Sequence, residues 1–187
     1  KVDYENGEKW SKVPFRFAEL KQILNDWALG MQAGGGWNAL FWNNHDQPRA
    51  LNRFGDVERY RAESATMLAT VIHLLRGTLY VYQGEEIGMI DPVYSSIEQY
   101  VDVEAHNAYA MLRERGLSEQ QALEIVASKA RDSSRVPMQW TADPATAGFG
   151  SKSPWLAPAP VRDAATGAGI SVEDEERDGV ILPYYRT

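Results

Sequence analysis

The sequence is 187 residues long, lacks cysteine, and sets 26 acidic against 19 basic side chains for a net charge of −7. That length can bury a core without disulfides, and the missing thiols exclude a disulfide framework, a thiolate nucleophile and any cysteine-ligated metal. The acidic balance speaks against nucleic acid as a partner, no apolar run approaches the ~20 residues that cross a bilayer, and Lys1-Val2-Asp3-Tyr4-Glu5 lacks the apolar core of a signal peptide. A soluble globular chain with neither a nucleic-acid nor a membrane partner is the expectation.

Residues 15–33 place Phe17, Leu20, Leu24, Trp27, Ala28 and Met31 at helical spacing, and Gly34-Gly35-Gly36 supplies the stop. Leu40-Phe41-Trp42 has no polar face and reads as a strand, over roughly 39–43, buried on both sides as in a parallel sheet. It breaks into the polar run Asn43-Asn44-His45-Asp46-Gln47-Pro48-Arg49. Residues 59–76 predict a helix with Ala65, Leu68, Ala69, Ile72 and Leu75 on one face. The β-branched and aromatic stretch around 78–82 predicts a second strand ending at Gln83-Gly84-Glu85-Glu86. Strand, helix and strand within about 45 residues make a βαβ unit with parallel strands. Ligands of parallel α/β folds bind at the carboxyl ends of strands. Residues 96–113 predict another helix, and Ser118 with Gln121 forms a capping-box pattern that opens the next. From Thr141 onward proline and glycine punctuate the chain, and Glu173-Asp174-Glu175-Glu176 reads as a solvated loop.

His45-Asp46 lies where the first strand meets its carboxyl-terminal loop. An ionised Asp46 there could orient a substrate hydroxyl or stabilise a developing cation, with His45 donating beside it; it could equally satisfy loop amides while His45 merely packs. Arg131 and Arg135, separated by three residues, could clamp carboxylates or sugar hydroxyls, or form ordinary ion pairs at a helix end. Of Glu85 and Glu86, adjacent and pointing apart, one is expected to be structural and the other solvated. His45, His73 and His106 show no metal-ligand spacing, and His73 is expected to be packed within its helix.

Three stretches occur in order: Phe41-Trp42-Asn43-Asn44-His45-Asp46-Gln47-Pro48-Arg49, Gly77-Thr78-Leu79-Tyr80-Val81-Tyr82-Gln83-Gly84-Glu85-Glu86-Ile87-Gly88-Met89, and Arg131-Asp132-Ser133-Ser134-Arg135-Val136-Pro137-Met138-Gln139-Trp140. Together they closely resemble the α-amylase superfamily, in particular its α-glucosidase and oligo-1,6-glucosidase branch. The likeness runs from about Lys9-Trp10 to Tyr184-Tyr185-Arg186, with departures at Leu79, Ser133-Ser134 and Thr141 that bear on specificity rather than on the family.

The resemblance implies an α/β fold: a fragment of a (β/α)₈ TIM barrel covering the seventh and eighth βα units plus a following excursion. Residues 1–140 would be the last βα units of the catalytic barrel, and 141–187 a loop-rich segment leading toward the carboxyl-terminal domain. A barrel of this kind typically needs about 250 residues. The implied reaction is retaining hydrolysis of terminal α-linked glucose from short oligosaccharides, with nucleophile and acid/base about 5–5.5 Å apart. Asp46 resembles the family's third catalytic carboxylate, which steadies the distorted sugar; His45 resembles the histidine binding the same sugar. Arg131 resembles the arginine that reaches the substrate after the eighth strand, and Glu104 a carboxylate near the leaving-group subsite. The nucleophile and the acid/base are expected before Lys1, as is the calcium loop of many members, so neither a cofactor nor a metal is implied here. The chain alone is expected to be catalytically silent and to self-associate through exposed strand edges, and its parent to be cytoplasmic. Sucrose isomerisation or trehalose-phosphate hydrolysis on the same scaffold is the enzymatic alternative. A non-catalytic barrel relative used for assembly is the other, although such relatives lack intact sugar-site motifs.

Overall fold

The computed structural model describes residues 2–150 and 153–187. Helix α1 (Phe17–Ala33) matches the spacing of its apolar residues, and its end closes through Gly34 N–H to Gly30 O and Gly36 N–H to Met31 O. Gly35 sits between them at φ +68°, a conformation costly for residues with a Cβ. Strand β1 (Asn38–Leu40) leads through a polar loop to the short helix α2 (Ala50–Phe54), then to α3 (Arg61–His73) and strand β2 (Gly77–Leu79). The two strands pair in parallel, Asn38 opposite Gly77 and Leu40 opposite Leu79, which is the expected βαβ arrangement. Position 77 tolerates only glycine at this spacing, because a Cβ would stand 2.6 Å from Asn38 O and 2.7 Å from Leu40 Cγ.

Both strands are shorter than their apolar composition suggests, and they are not buried on both sides. The ladder ends with Tyr80 N–H to Leu40 O, and Phe41 and Tyr80 remain 47% and 56% exposed. Among the described residues each strand has one hydrogen-bonded neighbour. A cleft of about 430 Å³, lined by Trp27, Ala28, Leu40, Trp42, Ile72 and Leu75, separates β1 from the flanking helices. No α1 residue is fully buried. Among the described residues no helix is long and apolar enough to cross a membrane.

The larger core lies beyond the sheet. A 3₁₀ turn at Glu85–Ile87 follows β2, flanked by Gly84 and Gly88 at positive φ. The helix expected over 96–113 is interrupted: Ser96 and Gln99 close a 3₁₀ turn in a capping box, Tyr100 is extended, and Asp102 caps a new helix, α4 (Val103–Glu114). Gly116, at φ +89°, turns the chain into α5 (Glu119–Ala127), which opens with the expected Ser118–Gln121 capping box. Ala105, Ala108 and Leu112 of α4 meet Ala122 and Val126 of α5, together with Tyr94, Tyr100, Val136 and Ile170, in one apolar cluster. Fully burying such a leucine or valine is worth about 1.5–3 kcal/mol each. Helix α6 (Asp132–Arg135) is tied beneath the start of α4, because the Asp132 carboxylate accepts from Val101 N and Asp102 N at 3.0 and 3.2 Å.

The acidic run 173–176 is not a solvated loop. It lies in α7 (Val172–Asp178), which Ser171 caps, and is followed by α8 (Ile181–Tyr185). Carboxylates in a first helical turn face the positive end of the helix dipole, so the charge that suggests a loop here favours a helix start. Glu175 is buried and accepts from Ile181 N and Leu182 N at 2.9 and 3.2 Å. Arg61 binds this segment to α3 and to the turn after β2: it donates to Asp163 at 2.8 Å and to the carbonyls of Ile87 and Gly88, and its Nη2 stands 3.8 Å from Glu175. Burial opposes ionisation of Asp163, yet the Arg61 guanidinium and the hydrogen bonds from Thr166 together outweigh it and hold that carboxyl below the usual aspartate value. Removing one member of a buried pair costs about 3–5 kcal/mol, because its partners keep their charge without compensation. Arg61→Ala is therefore expected to speed hydrogen exchange at Ile181 and Leu182 at least about a hundredfold, leaving the α4–α5 hairpin protected. Unchanged protection of 181–182 would show that Arg61 does not hold this segment.

Candidate active site

Four segments converge where β1 ends. The loop after β1 presents His45 and Asp46, α6 carries Arg131 at its N-cap and Arg135 in its last turn, the start of α4 carries Asp102 and Glu104, and the amino-terminal stretch brings Lys9. That stretch is held by a buried pair: Lys129 Nζ donates to both Asp3 O and Asp3 Oδ2 at 2.9 and 2.8 Å, while Arg53 Nη2 reaches Asp3 Oδ1 at 3.2 Å.

Asp46 does not satisfy its own loop. Asn44 Oδ1 takes the Asp46 amide at 2.9 Å, so the Asp46 carboxylate is left to face outward, half exposed. Arg135 grips this corner with two bonds, Nη2 to Asp46 Oδ1 at 2.9 Å and Nε to His45 O at 2.7 Å. His45 Nε2 lies 3.3 Å from Asp46 Oδ2, and Arg131 Nη1 stops at 3.7 Å from Asp46 Oδ1. Arg131 is engaged elsewhere, with Nε and Nη2 on Asp102 at 2.6 and 2.8 Å and Nε 3.2 Å from Glu104 Oε2. Lys9 Nζ takes the other Glu104 oxygen at 2.7 Å. The Arg131 hydrogen bond, working against burial, holds the Asp102 carboxyl below the usual aspartate range. That link stabilises the folded chain above the ordinary aspartate pKa and is lost only as pH falls through the lowered one, so it persists at neutral pH.

The four residues singled out in the sequence, His45, Asp46, Arg131 and Glu104, thus form one cluster. Of the two readings of Arg131 and Arg135, the contacts observed are ion pairs with carboxylates of this chain. Asp102 and Lys9 were not legible as members. Asp102 falls inside the helix expected over 96–113, and Lys9 lies 95 positions from its partner. His73 is exposed at the end of α3, with its ring edge-on to Tyr185 at 5.3 Å, and His106 is exposed with Nε2 2.8 Å from Tyr100 O. Among the described residues no group of three or more histidine or carboxylate side chains is arranged to hold a metal.

A half-exposed carboxylate held by a guanidinium keeps further lone pairs that can take the hydroxyls of a sugar and offset positive charge developing on its ring. The family model described as "Alpha amylase, catalytic domain" matches residues 1–182. The chain belongs to the α-amylase family. Within it the relatives are those of the α-glucosidase branch. The trehalose-6-phosphate hydrolase of Bacillus subtilis (strain 168) is 54% identical over 156 residues, covering 83% of this chain and 28% of the relative. The oligo-1,6-glucosidase of Halalkalibacterium halodurans is 46% identical over 155 residues, covering 83% and 27%. The crystal structure of Bacillus licheniformis trehalose-6-phosphate hydrolase superposes with a TM-score of 0.90 at 47% identity, covering 99% of this chain and 32% of that one. The chain therefore spans less than a third of the length of these relatives, and its α/β architecture is that of a barrel family.

Behind the cluster, Glu85 and Asn43 join the loops that follow the two strands. Asn43 Nδ2 donates to Glu85 Oε2 at 2.6 Å, Asn43 Oδ1 accepts from Ala50 N at 2.6 Å, and Tyr185 donates to Glu85 Oε1 at 3.2 Å. Glu85 is the structural member of the glutamate pair, but Glu86 is not the solvated one: its Oε2 is enclosed with no hydrogen-bond donor among the described residues. The close packing after Gly84 that seats Ile87 and Met89 in the core draws both carboxylates inward. Burial raises the Glu85 pKa despite the bonds from Asn43 and Tyr185. A folded-state pKa above the unfolded one means that ionising Glu85 costs stability, increasingly as pH rises from the ordinary glutamate value through the raised one. Glu85→Gln keeps an acceptor for Asn43 and removes the charge. Its thermal midpoint is expected to exceed the parent's at pH 8 and to converge on it near pH 4; an equal gap at both would assign the difference to packing.

Proposed function

We propose that residues 1–140 supply the seventh and eighth βα units of a (β/α)₈ barrel, that 141–187 lead toward a carboxyl-terminal domain, and that the assembled barrel hydrolyses terminal α-linked glucose from short oligosaccharides with retention of configuration. The carrying observation is Asp46: a half-exposed carboxylate at the carboxyl end of β1, held by Arg135 beside His45. In retaining hydrolysis one carboxylate attacks the anomeric carbon and a second protonates the leaving oxygen, then activates water. Asp46 is neither; it binds hydroxyls of the glucose ring as the oxocarbenium character grows, with His45 donating to the same sugar. Arg131 and Glu104 face the leaving group.

Since the chain holds a stabilising carboxylate without either reacting group, we propose that it is silent alone. Its apolar strand edges and the uncovered α1, where Phe17 and Trp27 are 66% and 64% exposed, favour self-association. The 187-residue chain is expected to show no turnover of p-nitrophenyl α-glucoside, isomaltose, sucrose or trehalose 6-phosphate, and to sediment as more than a monomer. Turnover near that of an intact glucosidase would refute its silence, and a folded monomer its association. In the complete enzyme Asp46→Asn is expected to lower kcat by roughly two to three orders of magnitude, as for loss of a group that stabilises the transition state, with folding unchanged. Near-normal activity would remove Asp46 from the mechanism.

A second reading keeps the reaction and changes the leaving group to glucose 6-phosphate. It is favoured by the 54% identity to a trehalose-6-phosphate hydrolase and by Lys9. That ammonium can turn from Glu104 to a phosphate carrying about −1.5 to −2 charge while Arg131 still holds Glu104. Lys9→Ala in the complete enzyme is expected to raise KM for trehalose 6-phosphate at least tenfold more than KM for isomaltose. Equal effects on the two substrates would decide for the unphosphorylated class.

A further inference from the structure

We propose that Asp102 is a positioning residue of the site, holding Arg131 off Asp46 so that Asp46 keeps its lone pairs for the sugar. This inference rests on the glucosidase reading above. The Asp102 side chain is only 6% exposed, yet it meets both guanidiniums: Arg131 through Nε and Nη2 at 2.6 and 2.8 Å, and Arg135 through Nη1 at 3.6 Å. Its place is fixed from two further directions. Its Oδ1 accepts the Glu104 amide at 3.0 Å, capping α4, and its own amide donates to Asp132.

The geometry divides two guanidiniums between two carboxylates. Arg135 serves Asp46, and Arg131 serves Asp102. With its fork filled in this way, Arg131 ends 3.7 Å from Asp46 Oδ1, too far for a hydrogen bond. Without the Asp102 charge, the anions left within 4 Å of Arg131 among the described residues are Glu104 Oε2, 3.2 Å from Nε, and the half-exposed Asp46 Oδ1, which stands 3.7 Å from Nη1 and is reached by a small turn of the guanidinium. A second guanidinium on Asp46 would occupy the lone pairs that receive the sugar hydroxyls, and each sugar that binds would first have to break a charge-assisted bond. Asp102 touches no substrate in this scheme and acts through Arg131 alone.

The test is a double-mutant cycle in the complete enzyme. Asp102→Asn preserves volume and the cap, since asparagine caps helices as well as aspartate; Asp102→Ser offers a second capped variant should the first fold poorly. Either is expected to lower kcat/KM at least tenfold in the parent and by less than twofold in an Arg131→Ala background, where no guanidinium remains to swing. A purely structural role would give the same loss in both backgrounds, and that result, or parental activity in Asp102→Asn, overturns the inference. Arg131→Lys, which keeps the charge but cannot fill both Asp102 oxygens, is expected to match the loss of Asp102→Asn, and parental activity there also overturns it. Asp46→Asn is measured alongside: an inactive Asp46→Asn with an unaffected Asp102→Asn sinks this inference alone, whereas an active Asp46→Asn sinks the glucosidase reading beneath it.

Discussion

The carboxylate of Asp102 has lost nearly all contact with water, and an ionised group so placed needs its charge and its lone pairs matched locally. Arg131 supplies the charge and two donors, and the first turn of α4 supplies a third. Once these are fixed, little freedom remains nearby. Glu104 stands two residues into α4 and faces Arg131, while Arg135, one turn further along α6, comes to bear on Asp46 and the His45 carbonyl. The position of the exposed carboxylate is thus set by the compensation of a buried one.

The same requirement joins distant parts of the chain elsewhere. Lys129 and Asp3 are 126 positions apart, and Arg61 and Asp163 are 102 apart, yet each pair is buried and mutually satisfied. Such pairs contribute little net stability, since desolvation offsets most of their attraction. Removing one member is costly all the same, because its partner is left as an uncompensated buried charge. For the site this matters most at Asp3, whose link to Lys129 determines where Lys9 enters.

How much of this was legible in the sequence follows from the range of the signals. Local ones were sufficient for α1, α3, the parallel βαβ unit and the Ser118–Gln121 capping box, because caps, glycines and spacing act within a turn or two. They misled at 173–176, where acidic residues suggested solvent although Ser171 makes them a helix start and Arg61 gives Glu175 a buried cation. Composition also overstated strand burial, since Phe41 and Tyr80 are as apolar as a barrel interior needs but stand half exposed beside a single neighbouring strand. Within the site, Asp46, His45 and Arg131 were legible because they sit in contiguous motifs, whereas Glu104 lies between motifs and was singled out by the family likeness alone. Asp102 was not, since its cap is a local fact and its grip on Arg131 lies 29 positions away.

The uneven distribution of core places the site at a seam. Asp46 hangs from β1, beside the small cluster of Leu51, Ala65, Leu68 and Ile181, whereas Asp102 and Glu104 at the start of α4 and Arg131 at the start of α6 stand on the side of the larger cluster. Apolar packing makes each side rigid but does not specify their separation to the fraction of an ångström that directional hydrogen bonding requires. Directional contacts across the seam do that: Arg135 to Asp46, Tyr82 to Ser134 O at 3.0 Å, and Asn43 with Glu85 behind them. A chemistry that depended on where one exposed carboxylate sits would therefore be governed by the polar contacts of that carboxylate's neighbours.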